Sequence, residues 1–368
     1  MNLQLAIVGL PQSGKTTVFN ALTRASAAVG GFSTASDEPN LATVKVPDSR
    51  ISKLSEIFNP KREVYADIRY LDIAGVAKGI GAGGLSGRLL GFLQEVSALI
   101  LVVRAFEDPN VPHPEERVDP LRDLDTLLLE LTFSDLAIIE RRLTRLNEMI
   151  QKLRGAEREA NERERELLLR CQTALENDTP LREVELSEEE ERQLRGYGFL
   201  SQKPALVLFN VGEDQLGEPA EKLVAEARER HGGSGLSIDS LAARIEMEIG
   251  QLDEEDAELF MADLGIEESG LDRVIRLSYD LLGLITFLTA GPEEVRAWPI
   301  PRGISAAEAA GEIHSDIQRG FIRAEIVSFD DLIEKGSMAE CRKAGLLRAE
   351  GRGYIMEDGD VTHFLFNV

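Results

Sequence analysis

Short apolar runs alternate with amphipathic segments through the first third of the chain. The runs predict strands at 3–8, 41–46, 64–73 and 98–104, and the segments predict helices at 15–25 and 85–96. Strands and helices that alternate in this way are typical of a parallel sheet with helices on both faces. The first part of the chain is therefore predicted to be an α/β domain.

The periodicity changes from about residue 121. Leucines and isoleucines then recur at steps of three and four, as one face of a long amphipathic helix requires. These residues are Leu128, Leu131, Leu136, Ile139, Leu143, Leu146, Ile150 and Leu153. A second, highly charged segment at 157–176 is predicted to return along the first, so that the two form an antiparallel helical arm.

The α/β pattern resumes after the arm. The apolar run 205–209 ends at the polar Asn210, as a strand with a ligand-binding residue at its carboxyl end does. Helices are predicted at 221–230 and 242–249. The arm is therefore predicted to be an insertion into the first domain.

Beyond about residue 278 the chain is predicted to form a small α+β domain. Short strand-like stretches at 285–288, 295–299, 321–328, 354–356 and 361–367 enclose one helical segment at 305–318. The predicted boundaries are 1–124 for the first part of the α/β domain, 125–200 for the arm, 201–278 for the second part of the α/β domain and 279–368 for the last domain.

Composition and charge exclude several classes of protein. Of the 368 residues, 43% are hydrophobic and 29% are charged, as in a globular chain. The net charge of −24 argues against indiscriminate binding to nucleic acid, and no sequence-specific DNA partner is expected. Neither a signal peptide nor a transmembrane run is visible, so we expect a cytoplasmic protein without a membrane partner. Cys171 and Cys341 lie far apart, which suggests neither a disulfide nor a zinc site.

Residues 9–16 read GLPQSGKT and fit the phosphate-binding pattern GxxxxGK(S/T). The pattern lies between a predicted strand and a predicted helix, which is the context that such a loop requires. Its backbone N–H groups would surround the phosphates, Lys15 would bind the β- and γ-phosphates, and Thr16 would ligate Mg²⁺. The predicted nucleotide contacts are Leu10, Pro11, Gln12, Ser13, Gly14, Lys15, Thr16 and Thr17. The sequence therefore predicts binding of a nucleoside triphosphate.

Asp72 and Gly75 form a DxxG element like that of regulatory GTPases, at the end of a predicted strand. Asp72 would hold the Mg²⁺ water shell, and the Gly75 N–H would sense the γ-phosphate. Many GTPases place a glutamine directly after this glycine to orient the attacking water, whereas this chain has Val76. Because valine cannot hydrogen-bond to water, another group must do so, or intrinsic turnover must be slow.

His113 is the candidate for that other group. It is one of four histidines and lies in a polar, proline-bounded loop after a predicted core strand. A histidine can orient water or transfer a proton, so His113 joins Lys15 and Gly75 as a predicted catalytic residue. The alternative is a solvent-exposed side chain with no catalytic role.

Asn210, Val211 and Glu213 occupy the positions where GTPases carry the guanine-reading NKxD element. The aspartate of that element accepts two hydrogen bonds from guanine, and its lysine stem lies along the base. Val211 replaces the lysine, and Glu213 is one methylene longer than aspartate. Asn210 can still accept from the adenine amino group and donate to N7, so the sequence favours ATP over GTP.

The chain resembles the YchF or Obg-like ATPase family, a branch of the Obg-related P-loop proteins of the translation-factor class. The resemblance covers nearly the whole chain. Besides the elements above it rests on residues 102–108 (VVRAFED), 118–123 (VDPLRD), 284–291 (LITFLTAG), 320–325 (GFIRAE) and 358–364 (DGDVTHF). It implies an α/β fold with a GTPase-like P-loop NTPase domain, an inserted antiparallel coiled-coil arm and a C-terminal α+β domain of β-grasp (TGS) type.

The resemblance also implies a function. Family members prefer ATP to GTP and associate with ribosomes or a ribosomal subunit, and a histidine at the His113 position is proposed to replace the missing glutamine. Gln12 stands where the family has an asparagine that helps to hold K⁺, so a K⁺ requirement stays open. Either Thr34 or Ser36 could reach Mg²⁺ from the segment after the first helix, and a hydroxyl near the base is lost at Ala242.

Three functions remain open from the sequence. The leading one is a slow ATPase whose bound nucleotide switches its affinity for a ribosomal or other translation-related partner. The alternatives are a GTPase of the Obg class and a nucleotide-gated binding scaffold with negligible hydrolysis.

Overall fold

The computed structural model describes residues 3–23, 39–73, 87–233, 235–264, 266 and 268–367. The elements before the arm are β1 (Gln4–Val8), α1 (Lys15–Thr23), β2 (Asn40–Lys45), α2 (Ser49–Phe58), β3 (Glu63–Val64), β4 (Asp67–Asp72), α3 (Gly87–Glu95) and β5 (Ala98–Arg104). The arm and the chain after it contain α4 (Pro120–Ile150), α5 (Gly155–Glu176), α6 (Glu188–Leu194), β6 (Ala205–Asn210), α7 (Glu218–His231), β7 (Leu236–Leu241), α8 (Ala243–Ile249), α9 (Glu254–Asp263) and α10 (Gly270–Leu281). The last elements are β8 (Leu284–Ala290), β9 (Val295–Pro301), α11 (Ala306–Ile313), α12 (Ser315–Arg319), β10 (Phe321–Ser328), α13 (Phe329–Lys335), α14 (Met338–Lys343), β11 (Arg348–Glu350) and β12 (Asp360–Phe366).

The chain forms two compact units, one of residues 1–43 and 69–274 and the other of residues 44–68 and 275–368. The first unit is built around a sheet of strand order β2-β4-β1-β5-β6-β7, in which β1 pairs in parallel with β4 and β5, and β6 pairs in parallel with β5 and β7. Every residue of β5 and β6 is buried, because strands in the middle of a parallel sheet are covered on both faces. The predicted α/β architecture is confirmed.

The arm is a helical hairpin formed by α4 and α5. Pro120 opens α4, and the Asp119 side chain caps it by accepting a hydrogen bond from the Arg122 N–H. The apolar residues of the predicted helical face from Ile139 to Ile150 meet those of α5 in one buried cluster. The main members are Ile139, Leu143, Leu146, Ile150, Leu167, Leu168, Cys171 and Leu175. This buried face explains why two such highly charged helices pack together.

Asp135 anchors the arm to the chain that leads into β6. Its side chain lies on α4, is fully buried and accepts hydrogen bonds from the backbone N–H groups of Leu200 (2.8 Å) and Ser201 (2.7 Å). Burial raises the pKa of the Asp135 carboxyl to about 6, although these hydrogen bonds oppose the shift. The carboxyl group therefore satisfies two backbone donors that no water can reach.

Replacing Asp135 with alanine should lower the free energy of unfolding by about 2–6 kcal/mol, because each of the two buried N–H groups left without an acceptor costs roughly 1–3 kcal/mol. Urea titration followed by circular dichroism measures the change. Asp135→Asn, which keeps one acceptor oxygen, should lose less. Equal stability of the alanine variant and the parent protein would show that the two N–H groups find other acceptors.

The second unit is built around a sheet of strand order β11-β10-β12-β8-β9-β3. β10 and β12 pair antiparallel, as do β8 and β9, while β12 and β8 pair in parallel. Alanines of α11 are buried in the same apolar cluster as Phe287 of β8 and Ile326 of β10. Ser305 begins α11 with a capping box to Glu308. The C-terminal part is therefore an α+β unit.

Residues 44–68 belong to the second unit, whereas the sequence-based boundaries placed them in the first domain. The predicted strand 64–73 is two strands in different sheets: β3 pairs in parallel with β9, whereas β4 pairs in parallel with β1. Helix α2, which the sequence did not predict, buries Ile51 and Leu54. These residues belong to the second unit because the strand partner of β3 lies more than 200 residues further along the chain.

Two predictions in the last part of the chain were also wrong. The single helix predicted at 305–318 is the pair α11 and α12, because His314 adopts an extended backbone (φ −165°) and caps α12 through its side chain. The stretch 354–356 is not a strand and makes only a bridge between Ser305 and Ile355. None of the helices in the described parts of the chain has both the length and the apolar character needed to cross a bilayer.

Candidate nucleotide-binding site

The predicted phosphate-binding loop joins β1 to α1 in the middle of the first sheet. Asp72 ends β4, and Asn210 ends β6. The strands are parallel, so their carboxyl ends share one edge of the sheet, where ligands bind in open α/β folds. Lys15, Thr16, Asp72 and Asn210 are all found at this edge.

Two glycines of the loop are required by close packing. A Cβ atom on Gly9 would lie 2.3 Å from the Val102 carbonyl oxygen of β5. Gly14 has φ +89°, and its Cβ would lie 2.1 Å from Nδ2 of Asn210. Gln12 also adopts a left-handed backbone (φ 63°). The loop therefore packs closely against the neighbouring strands, so these two positions require glycine whether or not a phosphate is bound.

The remaining loop residues differ in exposure. Pro11 and Gln12 are exposed, Leu10 and Ser13 are buried, and Thr17 is half-buried on α1. Within the described chain, the buried Ser13 Oγ has no hydrogen-bond partner.

Lys15 is buried inside the loop, with 7% of its surface exposed. Its Nζ donates to the carbonyl oxygens of Gly9 (3.0 Å) and Leu10 (2.8 Å). Burial lowers the pKa of Lys15 to about 8, and the Asp72 carboxylate opposes that shift. Phosphate oxygens are stronger acceptors than carbonyl oxygens, so this ammonium group is placed where an anion would gain from it.

Thr16 and Asp72 form the candidate metal centre. The Thr16 hydroxyl donates to Oδ2 of Asp72 across 3.2 Å, and Asp72 is 2% exposed. Within the described residues no cluster of three or more His, Cys, Asp or Glu side chains could hold a metal. One hydroxyl and one carboxylate fit Mg²⁺, which usually keeps several waters and binds through phosphates as well.

Asn210 connects the phosphate-binding loop to the first residue of α8. Its Nδ2 donates to the Ser13 carbonyl oxygen (3.1 Å), and its Oδ1 accepts from the Ala243 N–H (3.3 Å). The side-chain amide can still make one further bond as donor and one as acceptor. The sequence indicated base recognition but gave no sign of this connecting role.

Val211 and Glu213 face different surroundings. Val211 is 4% exposed and packs in the core of the first unit, while its N–H donates to the Leu241 carbonyl oxygen (3.1 Å). Glu213 is exposed at the start of a short 3₁₀ turn. Val211 therefore provides no lysine stem along the base, and Glu213 provides no buried carboxylate to bind guanine.

His113 is not an exposed side chain. Only 4% of its side chain is accessible, and its Nε2 lies 2.8 Å from Oδ2 of Asp123. Its Nδ1 accepts a hydrogen bond from the Glu115 N–H (3.1 Å). The low exposure contradicts the alternative of a solvent-exposed side chain, and both ring nitrogens have specific partners.

Arg104, at the end of β5, organises the chain before His113. Its Nε donates to the Phe106 carbonyl oxygen (3.1 Å) and its Nη2 to that of Val111 (2.8 Å), while the guanidinium lies 4.5 Å from the centre of the Phe106 ring. No individual role is predicted for Arg104 from the sequence, although a charged residue at the end of an otherwise apolar strand is a signal that could have indicated one. Gly75, Thr34 and Ser36 lie outside the described residues.

Comparison with known proteins covers both units. A family model described as "50S ribosome-binding GTPase" matches residues 4–141, and the model YchF-GTPase_C, described as a protein of unknown function, matches residues 284–367. The chain is 43% identical to "Ribosome-binding ATPase YchF" of Bacillus subtilis (strain 168) and 41% identical to the protein of that name from Escherichia coli O157:H7, with 100% of both chains covered in each case.

A solved structure agrees with these similarities. The Schizosaccharomyces pombe YchF GTPase superposes with a TM-score of 0.86 at 32% identity, covering 99% of this chain and 98% of that one. Because these identities are measured over the full length, the similarity includes the arm as well as the two regions that the family models match. The chain belongs to the YchF family.

Proposed function

We propose that this protein is a slow ATPase of the YchF type, whose bound nucleotide switches its affinity for the ribosome or a ribosomal subunit in the cytoplasm. The full-length relatives named as ribosome-binding ATPases support this proposal. Leu10 to Thr17 would hold the phosphates, and Thr16 and Asp72 would hold Mg²⁺, which would neutralise charge on the phosphates during hydrolysis. The C-terminal unit would be the TGS-type domain.

The observation that carries the choice of ATP is the burial of Val211. A guanine-reading lysine keeps its stem beside the base, whereas Val211 packs in the core, and the carboxylate of Glu213 is exposed. A purine bound here would therefore lack the paired acceptor that guanine needs. The remaining donor and acceptor capacity of Asn210 suits the amino group and N7 of adenine.

A GTPase is the second candidate. The matching family model and the S. pombe structure are both described as GTPases, which favours it. Calorimetric titration of the protein with Mg·ATP and with Mg·GTP separates the two candidates. Tighter binding of GTP would refute the ATPase proposal.

Single-turnover hydrolysis with ribosomes added separates both from a scaffold, which would bind the nucleotide without cleaving it. Repeating the titration in Na⁺ and in K⁺ decides the K⁺ requirement left open by Gln12.

Restoring the guanine-reading residues should shift the preference towards GTP. The double variant Val211→Lys, Glu213→Asp should raise the ratio of GTP to ATP affinity by roughly tenfold or more, because a bidentate carboxylate discriminates strongly between the bases. Calorimetry measures both affinities. Because Val211 is buried, Glu213→Asp is measured alone as well, and thermal unfolding checks that both variants fold.

Asp214→Asn is the matched control, because Asp214 is the exposed neighbour of Glu213 in the same turn. It should leave the ratio unchanged. If the double variant folds and the ratio still does not move, the base is selected elsewhere, and Ala242 is the next residue to change.

A further inference from the structure

Both ring nitrogens of His113 are engaged in this conformation. The Glu115 N–H donates to Nδ1, so Nδ1 carries no proton, and the neutral ring therefore donates from Nε2 to Asp123. The side chain is 4% exposed. A buried ring with both nitrogens occupied cannot orient a water molecule at the γ-phosphate, so His113 must leave these partners before it can act.

Asp123 holds the histidine from the first turn of the arm. It is 2% exposed, and its Oδ1 accepts from Arg122 through Nε (3.1 Å) and Nη2 (2.8 Å). Arg122 also donates to the Arg117 carbonyl oxygen (3.0 Å). The guanidinium offsets the charge of the carboxylate, which leaves Oδ2 to bind His113 in a charge-assisted hydrogen bond. The loop 113–119 is therefore fastened to the start of α4 by side chains of that helix.

We propose that Asp123 is a positioning residue that restrains His113, and that breaking this contact precedes hydrolysis. We call the contacts of His113 with Asp123 and with the Glu115 N–H the histidine latch. The inference rests on the proposed function, in which His113 orients the attacking water. It adds that the rate of hydrolysis depends on how often the latch opens, since the observed rate is the rate of the catalytic conformer multiplied by the fraction of molecules in it.

The latch also relates the arm to catalysis. Asp123 belongs to the same continuous helix, Pro120–Ile150, whose later turns pack against α5 in the arm. A helix moves as a stiff rod over several turns, so a partner that tilts or rotates α4 displaces the carboxylate from the imidazole. The latch then opens without any direct contact between that partner and the nucleotide.

The test is single-turnover ATP hydrolysis by the full-length Asp123→Asn variant. Asparagine keeps the shape of the side chain but removes the charge that strengthens the bond to Nε2. We expect the hydrolysis rate to rise by roughly three- to thirtyfold with ATP affinity nearly unchanged, because only the latch is weakened. Adding His113→Ala to this variant should remove the gain and give the rate of His113→Ala alone.

Asp125→Asn is the matched control. Asp125 lies on the same stretch of α4 but pairs with Arg230 and His231, so its loss should leave the rate unchanged. If the rate of Asp123→Asn is unchanged or lower while His113→Ala is still impaired, the latch is refuted but the catalytic role of His113 stands. A lower rate would mean that Asp123 orients the histidine during catalysis. A parental rate in His113→Ala overturns the role of His113 in the proposed function and the latch with it.

A second measurement needs no variant. The chain has four histidines, so selective ¹⁵N labelling of histidine gives a spectrum of few signals. The latch predicts that His113 is the Nε2-protonated tautomer with a slowly exchanging Nε2–H, and that this protection falls when Mg²⁺ and a non-hydrolysable ATP analogue are added with ribosomes. A His113 ring that exchanges freely in the protein alone overturns the proposal.

Discussion

Replacing Lys15 with alanine should lower the affinity for Mg·ATP by about 30- to 4,000-fold. Removing one partner of a buried charge contact costs about 2–5 kcal/mol, and each 1.4 kcal/mol is tenfold in affinity. The fold should survive, because burying the charged Lys15 has a cost, which lowers its pKa to about 8. This cost offsets much of the stability that its two hydrogen bonds contribute. Calorimetry gives the affinity, and thermal unfolding gives the stability.

Lys203 provides the matched control for that change. Its Nζ also donates to two backbone carbonyl oxygens, those of Gln94 (3.0 Å) and Val96 (2.5 Å), and burial also lowers its pKa. Lys203→Ala should leave ATP affinity unchanged, since these carbonyls lie outside the phosphate-binding loop. Full ATP affinity in a folded Lys15→Ala variant would rule out residues 9–16 as the phosphate site.

Replacing His113 with alanine should lower the rate of ATP hydrolysis by roughly ten- to a thousandfold, the usual contribution of a positioned acid or base. Nucleotide affinity should stay nearly the same, because the histidine would contact the transition state and not the bound ATP. Single-turnover kinetics measures the rate, and calorimetry measures the affinity in the same preparation.

His231→Ala is the comparison for this variant. His231 lies 3.0 Å from Asp125, so it resembles His113 in pairing with a carboxylate of α4, but it belongs to α7. Its loss should leave the rate unchanged. Hydrolysis at the parental rate by His113→Ala would mean that backbone groups, a metal-bound ligand or the partner orients the water.

Local signals were enough to predict much of the fold. The phosphate-binding loop was recognisable because its pattern lies between a strand and a helix, and the arm because Ile139, Leu143, Leu146 and Ile150 repeat with the period of a helix. Both features depend on residues that are close in sequence. The same holds for β6, whose run of apolar residues ends at the polar Asn210.

Contacts between distant parts of the chain could not be predicted in this way. The apolar run 64–73 gives no sign that Val64 pairs with Arg296 while Arg69 pairs with Gln4. Likewise, the burial of His113 depends on Asp123, which lies in a different element, and polar loop residues around the histidine suggested exposure. Composition and periodicity describe one segment at a time, whereas these features come from the pairing of two.

The assignment of residues 44–68 to the second unit bears on how the protein could be shortened. Helix α2 and strand β3 lie early in the chain, yet α2 buries Ile51 and Leu54 within that unit, and β3 extends its sheet. A chain that stops before residue 275 would keep these two elements and lose the strands they pack on. The C-terminal unit is therefore not a detachable appendage that gene truncation or fusion could remove or add at a single point. Any such rearrangement has to change two separate stretches of the coding sequence, with cuts on both sides of residues 44–68 and before residue 275.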